Sequence, residues 1–142
     1  MQKFIFLFLF VSSTSFAHTL MLHKHVTSGN VLPQDSFVKD CKVYREGFAV
    51  IRTKMGTRRT RVHSHNVSQR RVLLIRTLLR QAKDGTIATV GATCDGGDQM
   101  LHGYYRGDEF ILDVNEDCGE HKVNQSPATP ILASQAENIC GF

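Results

Sequence analysis

The 142-residue chain has no tryptophan, only three prolines, and no uninterrupted apolar run longer than the eight residues from Phe4 to Val11. Each shortage removes a class of protein. Eight apolar residues are far short of the roughly 20 that cross a bilayer as a helix, so no retained membrane anchor is expected. The lack of tryptophan leaves no indole platform for stacking on sugar rings. No pair of cysteines has the CxxC spacing of a zinc site, the nearest two being Cys118 and Cys140. Nucleophile elbow, phosphate loop and HExxH are all missing, and the serine, histidine and aspartate residues form no recognisable triad by sequence, so the reading leans away from an enzyme.

Residues 1–17 have the succession of a secretory signal: Lys3 in a positive head, the apolar "FIFLFLFV", then the small and polar "SSTSFA". Ser15 and Ala17 fit the small-x-small pattern before a cut, which would make His18 the first residue of the mature chain. The four cysteines, Cys41, Cys94, Cys118 and Cys140, all follow that cut. In an oxidising destination an even count reads as two disulfides, and the sequence does not choose among the three pairings. The protein is therefore expected to be secreted or periplasmic.

Residues 18–36 mix a short apolar patch with the turn formers Ser28, Gly29, Asn30 and Pro33, and read as an N-terminal lead-in of uncertain order. From Phe37 to the end the pattern is that of one domain. "FVKDCKVYR" and "GFAVIRTK" read as paired strands, and "TRRTRVHSH" as an exposed third strand of an antiparallel meander. Ser68 fits a helix N-cap, Val72, Ile75, Leu78, Leu79 and Ala82 follow at helical spacing, and Gly85 stops the run. "TIATVGAT" returns as a strand, and "MLHGYYRGDEFILDV" as a hairpin around Arg106-Gly107-Asp108. Ser126-Pro127 reads as the opening of a last helix that reaches about Ile139. This order predicts a small, disulfide-stapled α+β domain with an antiparallel sheet and two helices. Phe48, Val50, Ile51, Tyr104, Phe110, Ile111 and Val114 are its expected core or half-buried sheet residues.

Charge is unevenly distributed. Residues 18–83 carry a balance of +11 and residues 84–142 a balance of −8, within a net charge of +4. The simpler expectation is that elements of the two halves interleave and their charges cancel. The alternative is a basic face built from Arg58, Arg59, Arg61, Arg70 and Arg71, available to an acidic protein or an anionic glycan. Nucleic acid is not expected as a partner, because no aromatic residues alternate with this basic cluster to stack on bases.

Histidine is the other carrier of chemistry. His23 with His25, and His63 with His65, are two apart, so each pair projects to one side of a strand and can offer two nitrogens to a metal ion. Pairing of the two segments would create a four-histidine site; exposed histidines on a polar strand are the simpler reading. A mature N-terminus at His18 would supply an α-amine and an imidazole together. That resembles the histidine brace of lytic polysaccharide monooxygenases and some periplasmic copper carriers, and the resemblance implies bound copper. It rests on one residue and a processing site, with His63, His65, His102 or His121 as an unassigned second ligand.

Asn66-Val67-Ser68 and Asn124-Gln125-Ser126 match the N-glycosylation acceptor pattern. Arg106-Gly107-Asp108 has the composition of a turn, and "CDGGDQ", with Asp95 and Asp98, lacks the further carboxylates of a calcium loop. The functional expectation is thus an exported binding or inhibitor-like module with no cofactor; the alternative is a copper-binding protein or small copper enzyme that uses a mature N-terminal His18.

Overall fold

Strand β2 (Phe37–Tyr44) shows how the sequence builds the sheet: its alternation places Cys41 and Val43 on one face and Asp40 and Lys42 on the other. A computed structural model describes residues 18–29, 31–91, 94 and 96–141; the proposed signal segment and Asp95 lie outside them. The other elements are β1 (Leu20–Thr27), β3 (Phe48–Met55), β4 (Arg61–Asn66), α1 (Gln69–Ala82), β5 (Ile87–Val90), β6 (Gln99–Tyr105), β7 (Asp108–Asn115), β8 (His121–Asn124) and α2 (Thr129–Cys140). The eight strands form one antiparallel sheet in the order β4-β3-β2-β1-β6-β7-β8-β5.

The fold is α+β, with both helices packed on one face of that sheet. Val72, Ile75, Leu78, Leu79 and Ala82 of α1 meet Leu132, Ala136 and Ile139 of α2 above Leu22, Val43, Ile51 and Leu101 of the strands. Each fully buried large side chain contributes about 1.5–3 kcal/mol by leaving water. Gly103 of β6 lets α1 approach closely: a Cβ there would lie 2.7 Å from Leu79 Cδ2 and 2.8 Å from Phe110 Cζ. Ile51 is in the core as expected, whereas Phe48, Val50, Tyr104 and Ile111 are half-buried strand residues.

Two disulfides are present. Cys41–Cys140 ties β2 to the end of α2, and Cys94–Cys118 closes the segment between β5 and the β7–β8 turn. Among the described residues no helix is long and apolar enough to cross a membrane.

Three features depart from the sequence reading. The segment taken as a lead-in supplies β1, which lies inside the sheet between β2 and β6, so the domain does not begin at residue 37. Strand β8, which the sequence reading missed, pairs with β7 and β5. Helix α2 starts at Thr129 after Ala128 as N-cap, and the proline in its first turn is Pro130 rather than Pro127.

The charge halves also fail to interleave within the sheet. The basic half forms β4-β3-β2-β1 and the acidic half β6-β7-β8-β5, meeting along the β1–β6 seam. Among the described residues the halves are joined by Lys24–Glu137 at 3.3 Å and by the chain neighbours Lys83–Asp84 at 2.6 Å, and no arginine has an acidic partner within 4.0 Å.

Candidate metal centre

The sheet face turned away from the helices carries the polar residues of the central strands. In β1, Leu22 and Lys24 point toward the helices, which sends His23 and His25 to the opposite face. The register sets Asp40 of β2 directly across from His25 and Lys42 across from His23. Asp40 then reaches diagonally: its Oδ1 is 2.5 Å from His23 Nε2 and 3.4 Å from His25 Nδ1. The two imidazole rings are 6.4 Å apart between centroids.

One ligand atom from each of His23, His25 and Asp40 lies within 4.8 Å of the others, the only such group of three among the described residues. The side chains are 27%, 25% and 20% exposed, so the cluster is sheltered but reachable from solvent. Burial by itself would raise the Asp40 carboxyl; the hydrogen bond and charge of His23, with Lys42 nearby, more than offset it and hold the group below the ordinary carboxylate value. The site therefore offers two nitrogen donors and an ionised oxygen donor. For a metal bound at about 2.0–2.1 Å per ligand, the donor atoms would need to be ~3.3 Å apart, which side-chain rotation of two imidazoles and one carboxylate can supply.

A second polar group adjoins it across the β1–β6 seam. His102 is the register partner of His23. Its Nδ1 contacts Glu109 Oε1, and Tyr104 Oη donates to the same oxygen at 2.7 Å. The two contacts hold Glu109 below the ordinary carboxylate range, while burial and the neighbouring Glu109 push the Tyr104 hydroxyl up.

The other predicted ligands lie elsewhere. His63 and His65 are on edge strand β4, three strand spacings or about 14 Å from β1. Their register columns run through Ile51 and Ala49 to Cys41 and Val43, so they belong to the opposite face, and the four-histidine site does not form. His18 sits edge-on to Phe48 and Tyr44, with centroids 4.8 and 5.9 Å away, and the following Thr19 N–H donates to Glu46 Oε1 at 3.0 Å. That position is about 15 Å along the chain from His23. His121 is paired with Asp113 at 2.8 Å.

The predicted basic residues divide into two groups. Arg58, Arg59 and Arg61 line a groove of about 290 Å³ with His63 at the β3–β4 turn. Arg70 and Arg71 open α1 beyond the other end of β4, where Val67 N–H bonds to Gly47 O at 2.8 Å. With a strand of about 17 Å between them, the five arginines do not form one patch.

Asp40 is the member of this cluster that the sequence reading missed. The signal was its presence on the outward face of a recognised strand; what was missing was β1 as its neighbour. No protein-family model matches the chain, and neither does any curated protein or solved structure.

Proposed function

We propose that the protein is an exported, disulfide-stapled binding module whose ligand is a divalent transition-metal ion held by His23, His25 and Asp40. The observation that carries this reading is the convergence of the three ligand atoms within 4.8 Å on the side of the sheet away from the helices. Two imidazoles and one carboxylate suit Cu²⁺ and Zn²⁺, with Cu²⁺ the tighter by the Irving–Williams order. Three protein ligands leave coordination positions for water or for a partner molecule. On this reading the metal takes the place of the hydrogen between His23 Nε2 and Asp40 Oδ1, so the hydrogen-bonded pair is the metal-free form of the same site. The leader-like first 17 residues and the two disulfides support export to an oxidising compartment. This reading keeps copper but assigns it to the two β1 histidines and Asp40 of β2 rather than to His18.

Calorimetric titration of the oxidised chain with Cu²⁺ and Zn²⁺ tests the proposal. One tight equivalent is expected for Cu²⁺, weakened about tenfold or more in each of His23→Ala, His25→Ala and Asp40→Asn, and unchanged in a His63→Ala/His65→Ala double variant. Equal affinity in the wild type and the first three variants would reject the site.

A further inference from the structure

We infer that the helix-side end of the sheet carries a separate pocket for a small tetrahedral oxyanion ester, with Arg45, Arg76 and Arg106 around the anion. The three come from separate parts of the chain: the β2–β3 turn, the middle of α1 and the β6–β7 turn. They line one cavity of about 140 Å³, whose apolar wall includes Met21, Leu79 and Tyr105. A shallower space of about 220 Å³ continues past Arg76 and Tyr105 to Arg80.

No carboxylate lines either space, and none of these arginines has an acidic partner within 4.0 Å among the described residues. Glu46, the neighbour of Arg45, has both carboxylate oxygens turned to the Thr19 N–H, at 3.0 and 3.2 Å. Three arginines lining one small concavity that no carboxylate lines repel one another, and a bound oxyanion would offset that repulsion. Guanidinium forks match tetrahedral oxyanions through paired N–H donors. The Arg106 guanidinium lies 5.6 Å from the Tyr105 ring centroid, which positions it at the rim. The leucine, methionine and tyrosine wall fits the apolar body of an ester better than a free ion.

The arginines singled out from the sequence, Arg58, Arg59, Arg61, Arg70 and Arg71, are outside this pocket. The inference is independent of the metal centre, which faces the other side of the sheet.

Titration of the folded, oxidised chain with phenyl phosphate, phenyl sulfate and inorganic phosphate, followed by amide NMR shifts, tests it. Saturable shifts at Arg45, Arg76, Tyr105 and Arg106 are expected, with inorganic phosphate weaker than the esters. The relative strength of the two esters identifies whether phosphate or sulfate is the natural group. Arg76→Gln and Arg106→Asn should each weaken ester binding about tenfold or more, while Arg58→Gln/Arg59→Gln leaves it unchanged. Arg76 and Arg106 are both exposed, so neither substitution disturbs the core. No saturable ester binding by the wild type, equal binding by Arg76→Gln and Arg106→Asn, or inorganic phosphate binding as tightly as the esters would overturn the assignment.

Discussion

Asp40 Oδ1 lies 2.5 Å from His23 Nε2, a contact made across two antiparallel strands between residues 17 apart in sequence. On the proposed reading a proton and a metal ion compete for the same atoms. Imidazole nitrogens donate a lone pair only when unprotonated. Metal affinity should therefore fall as acid protonates the two imidazoles. Titrations between pH 5 and pH 8 would show this; affinity independent of pH would mean that the histidines are not ligands.

Asn124 is predicted to be structural despite its acceptor-like sequence. It is 2% exposed, donates to Ala82 O at 2.9 Å and Ile111 O at 3.2 Å, and accepts from the Ser126 N–H at 2.9 Å. Asn124→Ala should cost about 2–4 kcal/mol in chemical denaturation, because it leaves buried backbone groups unpaired. Gly85→Ala should also destabilise, since its Cβ would fall 2.0 Å from Asn124 Oδ1. Expression in a glycosylating host, followed by peptide mass mapping, should find sugar at the exposed Asn66 and none at Asn124.

The two disulfides should differ in their effect on stability. Cys41–Cys140 joins positions 99 apart and Cys94–Cys118 positions 24 apart. On the chain-entropy account their removal costs about 5 and about 3 kcal/mol respectively. Paired cysteine-to-alanine variants compared by denaturant midpoint should show this order, and the loss of Cys41–Cys140 should also loosen the end of α2.

Acid should weaken the fold through Glu109. Hydrogen bonds from His102 and Tyr104 lower its carboxyl in the folded chain, so its contribution is present above the unfolded value and lost as pH falls through the folded one. The ordinary glutamate carboxyl value is 4.5, so the loss is placed below that pH. Glu109→Gln should lower stability near neutrality, where the wild-type contribution is present, and make the stability profile flatter in that acidic range. An unchanged acid profile in this variant would show that the Tyr104–Glu109–His102 group carries no linkage.

Strands β2, β3, β6 and β7 and helix α1 were legible because their apolar residues recur with the period of the element they form. Ser68 was readable as the N-cap, and its Oγ accepts from the Arg71 N–H at 3.4 Å. Strand β1 was hidden by the same residue mixture that builds the candidate site. One face holds Leu22 with a buried Lys24, whose ammonium reaches Glu137 at 3.3 Å, while the other holds two histidines. A central strand with that mixture looks like a polar lead-in. Once β1 was missed, Asp40 had no visible neighbour, and the histidine pair closest in character, His63 with His65, looked equivalent to His23 with His25. Only the register separates them, because it puts one pair at the centre of the outer face and the other on an edge strand. Strand β8 has four residues, too few for alternation to declare itself.

The most direct test of the central claim is a residue-resolved titration of the histidine ring signals with Zn²⁺, which is diamagnetic and leaves every ring observable. The account predicts that the first equivalent shifts His23 and His25 in parallel and saturates with the Asp40 side-chain carboxyl signal. It predicts that His63 and His65 move only at excess metal and that His18 stays outside the first binding event. First-equivalent shifts at His18 or at the His63 and His65 pair, with His23 and His25 unmoved, would contradict it.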